Sequence, residues 1–262
     1  MDTLSVEKIT AAYKKDKNTK LILNDITFSL EKGEFVCLCG ANGCGKSTLM
    51  SLLCGLNNKN LQILSVQKMP SIGNQEIHKM KRKECAQKIA YMQQNETSMW
   101  DFNVFDYVLQ GRFCHSSGGY YTSADYEIVQ YVLQEMNLEK FASQSVNSLS
   151  GGEFQKIRIA RALCQEPDFM LLDEPASNID YVYEPQLMKL LQNFAHTKKT
   201  GILVIVHNIN IAYNYADRIC LLPPCQKMIS GSPQDVMTSD NLKLTFGVEF
   251  QCKETKCFQL LQ

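Results

Sequence analysis

The chain has 262 residues, 45% of them apolar and 21% charged, an ordinary balance for a globular protein with room for one large α/β domain or two small ones. Lys+Arg and Asp+Glu stand at 27 each, so overall charge argues against a basic nucleic-acid binder. No apolar run approaches the ~20 residues that cross a bilayer.

The start, Met1-Asp2-Thr3-Leu4-Ser5, lacks the cationic and apolar regions of a signal peptide, which makes the cytoplasm the expected compartment. Leu4–Thr10 and Leu21–Leu30 alternate polar and apolar residues, the pattern of antiparallel strands with one wet face, joined by a polar turn over Lys14–Lys20. Glu31–Glu34 is a second turn and leads into the apolar strand Phe35–Cys39. A helix is expected over Ser47–Cys54. Asn57–Lys88 is polar and Lys-rich and should hold short strands and a helix. Ile89–Met92, Phe169–Leu172 and Ile202–Val206 read as buried parallel strands, with helices at Tyr126–Met136, Gly152–Cys164 and Tyr183–His196. Asn95–Ser148 is too long for a crossover loop and is expected to form an inserted helical lobe. Strands alternating with helices predict an α/β fold: a parallel sheet, an antiparallel β subdomain and that lobe, all in one domain over 1–262, with 225–262 as its C-terminal extension.

The chemistry begins where Phe35–Cys39 ends. Gly40-Ala41-Asn42-Gly43-Cys44-Gly45-Lys46-Ser47-Thr48 is a phosphate-binding loop of the G-x-x-x-x-G-K-[ST] type between a strand and a helix. Its glycines let successive N–H groups turn toward phosphate oxygens, and the helix dipole favours the same anion. Lys46 is expected to reach the β- and γ-phosphates of ATP and Ser47 to ligate Mg²⁺. Cys44, near a helix N-terminus, is expected to have a lowered thiol pKa and to be alkylated unless ATP protects it.

Phe169–Leu172 delivers Asp173 and Glu174 to the carboxyl edge of the sheet, where open α/β folds bind ligands. Asp173 is expected to hold Mg²⁺ through water and Glu174 to polarise the attacking water. Leu149-Ser150-Gly151-Gly152-Glu153 opens a helix with Phe154, Ile157, Ala160 and Leu163 on one apolar side. Ser150 suits its N-cap, and the free N–H groups there make a second anion site. Two phosphate-binding helix starts about a hundred residues apart do not easily grip one ATP in a monomer. A twofold, head-to-tail homodimer places each nucleotide between the loop of one copy and the Ser-Gly-Gly turn of the other.

Over nearly its whole length the chain resembles the ATP-binding cassette ATPases, which have a P-loop NTPase (RecA-like) core. Leu149–Glu153 is similar to the family signature LSGGQ, with Glu153 in the last place, and Asp173-Glu174-Pro175 is similar to the Walker B end. Ser177-Asn178-Ile179-Asp180 resembles the D-loop, which implies that Asp180 reaches across the dimer. His207 falls where the family's switch histidine meets the γ-phosphate, and Tyr13 where an aromatic stacks on adenine, or else is a surface-turn tyrosine. Tyr91-Met92-Gln93-Gln94 is similar to the family's Tyr-Val-Pro-Gln, which implies Gln94 as the metal-sensing glutamine. Gln93, standing where the family has proline, is the alternative.

The resemblance implies separate integral-membrane permease subunits, an extracytoplasmic substrate-binding protein engaged indirectly, a place on the inner face of the membrane and no nucleic acid. Three stretches are similar to the ATPases of iron-chelate (siderophore or haem) and vitamin B12 importers: Val108–Phe113, Ser177–Tyr181 with Gln186, and Ser239–Val248. Zinc and manganese importer ATPases share part of this pattern, and a soluble non-transport cassette ATPase is the remaining alternative. Ala176 stands where the family has Thr, and Asn57–Met69 lacks its usual Gly-Glu turn. The eight aromatic residues of Trp100–Tyr126 read either as the core of the lobe or as a groove for a permease helix. Cys37, Cys39, Cys164 and Cys220 read as core residues. The eleven cysteines contain no CxxC pair and are expected to be reduced, Cys252-x-x-x-x-Cys257 being a sparse metal pattern.

Overall fold

The computed structural model describes residues 2–15, 18–56, 59–94, 96, 100–177, 179–180, 182–253 and 257–260, with side chains for all of these but 15, 18, 251–253 and 257–260. The strands β1 (Thr3–Lys15) and β2 (Asn18–Glu31) form an antiparallel hairpin. They run into the stretch expected to be a turn, because Tyr13, Lys14 and Lys15 keep pairing with Lys20, Thr19 and Asn18. β3 (Phe35–Cys39) and α1 (Lys46–Leu53) follow, then β4 (Leu61–Ser65), β5 (Lys68–Ile72), β6 (Gln75–Glu76), α2 (Arg82–Lys88) and β7 (Ile89–Met92). Next come α3 (Val104–Leu109), α4 (Ser123–Glu135) and α5 (Gly151–Cys164), then β8 (Phe169–Asp173), α6 (Glu184–Lys198) and β9 (Gly201–Ile205). The chain closes with α7 (Ile209–Tyr215), β10 (Arg218–Leu221), β11 (Ile229–Gly231), α8 (Pro233–Val236), α9 (Ser239–Phe246) and the hairpin β12 (Phe250–Lys253) and β13 (Cys257–Leu260).

Two sheets carry the fold. One is antiparallel, in the order β2-β1-β5-β6 with β4 also paired to β1. The other runs β11-β10-β3-β9-β8-β7 and is parallel except for β11. The central parallel strands are buried on both faces, which is why they read as continuous apolar runs. Alternation still sorts their side chains. Val36, Leu38, Leu171 and Leu203 face the core shared with α1 and the antiparallel sheet. Phe35, Cys37, Met170 and Val204 face the core shared with the later helices. β10 was not expected from sequence: at four residues, it is too short to stand out from the loops around it, yet it pairs with Val36, Cys37, Leu38 and Cys39 of β3.

The helix α5 departs from its one-sided reading. From Gln155 to Cys164 almost every residue is buried, because α3, α4 and β7 surround it. Within the stretch expected to hold the lobe, α4 starts with a capping box between Thr122 and Asp125. Arg112 is buried there, and its guanidinium bonds Asp125 at 2.9 Å and the Cys164 carbonyl at 2.7 Å. Burial opposes ionisation of Asp125, but the Thr122 N–H and Arg112 outweigh it and hold the carboxyl at about 2. A Cβ at neighbouring Gly111 would collide with the Arg161 carbonyl on α5. In the Gly-Arg-Phe stretch similar to iron-chelate ATPases, Gly111 and Arg112 thus form a packing joint, while Phe113 is exposed. Within Ser239–Val248, residues Ser239–Phe246 are the helix α9, capped by Thr238 and ended by Gly247 at φ 73°.

Candidate nucleotide site

The loop after β3 is shaped by backbone that only glycine adopts freely. Gly43 has φ 75° and Gly45 φ 112°, and a Cβ on Gly45 would lie 2.9 Å from Leu23 Cδ2. Gly45 is the N-cap of α1 and no side chain caps that end, so the first N–H groups of the helix are offered outward. Lys46 is 6% exposed, and its ammonium donates to the carbonyls of Gly40 (2.8 Å) and Ala41 (3.0 Å), which pins a cation under the loop.

This loop floors a cleft of about 540 Å³ lined by Tyr13, Asn42, Gly43, Gly45, Lys46, Ser47, Thr48, Gln94, Glu174 and His207, together with Lys20 and Ile22. Tyr13 Oη lies 3.2 Å from Thr48 Oγ1, so the ring stands at the rim of the loop. Glu174, at φ 53°, sits at the centre of a polar set. Gln94 Nε2 donates to its Oε2 at 2.6 Å, and His207 Nε2 lies 2.6 Å from its Oε1. Gln94 rather than Gln93 therefore presents its side chain to the carboxylate, while the Gln93 carbonyl accepts from Arg158. Asp173, one residue back on β8, is 2% exposed, and its Oδ1 has no hydrogen-bond partner. Burial pushes its carboxyl up. The Ser47 hydroxyl draws it back, the Glu174 charge adds to the rise, and Lys46 and His207 oppose it. An orphaned buried carboxylate oxygen beside a serine hydroxyl fits a hard divalent cation.

Cys44 corrects the expectation of a reactive thiol. It is 4% exposed, and burial pushes its pKa up despite Lys46 and two backbone N–H groups that pull it down. The nine cysteines with described side chains are free thiols. No three His, Cys, Asp or Glu side chains cluster so as to hold a metal ion among the described residues, and the side chains of Cys252 and Cys257 lie outside them.

The second anion site is a separate place. Ser150, Gly151, Gly152, Glu153, Lys156, Ile179 and Asp180 line a cleft of about 600 Å³ that shares no residue with the first. Ser150 is the N-cap as expected, within a full capping box: Glu153 Oε2 accepts from the Ser150 N–H at 2.9 Å and from its hydroxyl at 2.7 Å. Lys156 stands over the Tyr183 ring at 3.6 Å. Asp180 joins this cleft, whereas Asn178 and Tyr181 of the same stretch lie outside the described residues.

Sequence reasoning missed Gln155 and Arg158. Both are buried on α5, and both bond to segments of the first cleft. Two long polar side chains one helical turn apart, directly after the glycines, were the available signal.

A P-loop at the carboxyl edge of a mainly parallel sheet, with an acidic pair at the end of β8, one strand beyond the neighbouring β9, defines a nucleotide-binding α/β protein. Comparison with known proteins narrows the class. The family model "ABC transporter" matches residues 23–177. An uncharacterized ABC transporter ATP-binding protein of Methanocaldococcus jannaschii is 36% identical over 94% of this chain and 92% of its own. The iron(3+)-hydroxamate import ATP-binding protein FhuC of Bacillus subtilis is 29% identical over 95% and 89%. A metal-chelate type ABC transporter solved in an inward-facing conformation aligns with a TM-score of 0.80 at 27% identity, over all of this chain and 98% of the other. The chain belongs to the ABC transporter family and is its ATP-binding subunit, an ATPase coupled to transport. Among the described residues no helix is long and apolar enough to cross a membrane.

Proposed function

We propose that this subunit works as a homodimer and powers an importer through separate permease subunits on the inner face of the membrane. The observation that carries the dimer is the pair of disjoint clefts, each offering a helix N-terminus, on one chain. Each ATP then lies between Gly40–Thr48 of one copy, with Tyr13 against the adenine, and Ser150–Glu153 with Asp180 of the other. Ser47, Asp173 and the amide oxygen of Gln94 would hold Mg²⁺. The metal, when bound, neutralises charge on the β- and γ-phosphates. Lys46 adds a fixed cation. Glu174 orients the attacking water and takes its proton, held by Gln94 and His207, and His207 also meets the γ-phosphate. Loss of the γ-phosphate removes the bridge between copies and reopens the dimer. The lobe over 95–148, whose Trp100, Phe113 and Tyr120 are exposed while Tyr107 is buried, carries that motion to the permease. It thus serves as core and as groove together.

For the cargo we infer an iron chelate (siderophore or haem) or a cobalamin-like molecule, captured outside the cell by a binding protein that meets the permease. The support is the hydroxamate-import relative and the metal-chelate type transporter. Pull-down from detergent-solubilised membranes is expected to recover an integral-membrane pair, and recovery of only soluble proteins would remove the transport reading. Deletion of the subunit is expected to abolish uptake of iron-loaded siderophore or haem, while uptake of manganese stays unchanged.

A further inference from the structure

Arg158 is 2% exposed, a costly place for a guanidinium, and its bonds converge on the nucleotide cleft. Nη1 donates to the Gln94 carbonyl at 3.2 Å and to Gln155 Oε1 at 2.7 Å, and Nη2 donates to the Gln93 carbonyl. Nε faces Glu96 Oε2 at 3.4 Å. Gln155, itself 3% exposed, turns its amide Nε2 to the Glu174 carbonyl at 3.2 Å and to Ser177 Oγ at 3.5 Å. The bonds close a ring. From Arg158, one path runs through the Gln94 main chain and side chain to the Glu174 carboxylate, and the other through Gln155 to the Glu174 carbonyl. Glu174 needs holding at both ends, because at φ 53° a non-glycine residue persists only where its surroundings impose it.

We infer that Arg158, acting with Gln155, is a positioning residue that fixes the direction of the Glu174 carboxylate and ties it to the helix whose first turn is the Ser-Gly-Gly site. Arg158 lines neither cleft. It orients Glu174 from behind, so a shift of α5 when its N-terminus engages a phosphate reaches the base of the same chain's own site. The inference rests on Glu174 acting as the base.

The test is steady-state ATPase kinetics together with ADP affinity by calorimetry for Arg158→Gln, Arg158→Lys, Gln155→Met and Glu174→Gln. ADP reports the loop and rim without needing Glu174. For Arg158→Gln, kcat is expected to fall at least about tenfold with ADP affinity kept within about twofold, since a misplaced catalytic group costs turnover and not ground-state binding. Arg158→Lys, which keeps a donor, is expected to recover part of the rate, and Gln155→Met to lower kcat in the same direction. An unchanged kcat in Arg158→Gln, or a loss of ADP affinity in step with kcat, overturns the inference. If Arg158→Gln does not fold, Gln155→Met decides alone: a reduced kcat with ADP affinity kept sustains the inference, and a full kcat overturns it. Wild-type turnover by Glu174→Gln would instead sink the assignment of the base. An inactive Glu174→Gln beside a fully active Arg158→Gln defeats only the positioning role.

Discussion

The two helix N-termini proposed to meet phosphate are built in opposite ways. At α1 the N-cap is a left-handed glycine, no side chain answers the first N–H groups, and Lys46 is buried beneath them. At α5 the first turn answers itself: Ser150 and Glu153 cap each other, and the carboxylate lies where the helix dipole is positive. The first end is preorganised for an anion and is unsatisfied without one. The second answers its own Glu153 N–H with the Ser150 hydroxyl and brings a negative charge. A single copy should therefore bind nucleotide through α1, with α5 contributing only when a second copy presents the phosphate to it.

Four changes would break or sharpen this contrast. Glu174→Gln should have the largest effect, a loss of roughly 10²–10⁴ in kcat with ATP retained, read as a closed dimer by size exclusion in ATP; monomers there would count against the shared site. Lys46→Ala should weaken ATP by about 10- to 100-fold through loss of charged hydrogen bonds, measured by calorimetry on the subunit alone. Equal loss on removing the α5 turn would end the asymmetry.

Asp173→Asn should abolish turnover yet melt higher than the wild type at pH 7 in metal-free buffer, read by thermal unfolding. The sign follows from linkage. Asp173 has a folded-state pKa above its unfolded one, so its charge subtracts stability at neutral pH. The penalty fades as pH falls through the raised folded-state pKa and is gone below the ordinary carboxylate range. A lower melting point at pH 7 would show that Oδ1 has a partner. Glu153→Gln should have the smallest effect, lowering KM for ATP about two- to fivefold at low salt by removing a like charge from a helix end, and the gain should shrink as salt rises.

Motifs that depend on local backbone were legible in the chain itself. The loop at Gly40–Thr48, the N-cap at Ser150 and the acidic pair after Phe169–Leu172 each need particular residues at fixed spacing, and all fall where that spacing implied. The central strands were legible because burial on both faces makes them apolar throughout. Cys44 was misread because proximity to a helix end is visible in sequence while depth is not, and desolvation outweighs the dipole there.

The sequence by itself determined the kind of chemistry, since phosphate cradles and carboxylates at strand ends are local constructions. Only the tertiary structure decided which groups share a cleft. The choice of Gln94 over Gln93, the bracket of Gln94 and His207 on Glu174, and the buried Arg158 and Gln155 behind it depend on segments 19 to 113 residues apart meeting at one sheet edge. The same is true of Gly111 and Arg112: as a motif they are similar to a transporter subfamily, but in the fold they are a joint against α5, fixed by close approach. Long-range packing sets these partners, and no spacing along the chain encodes it.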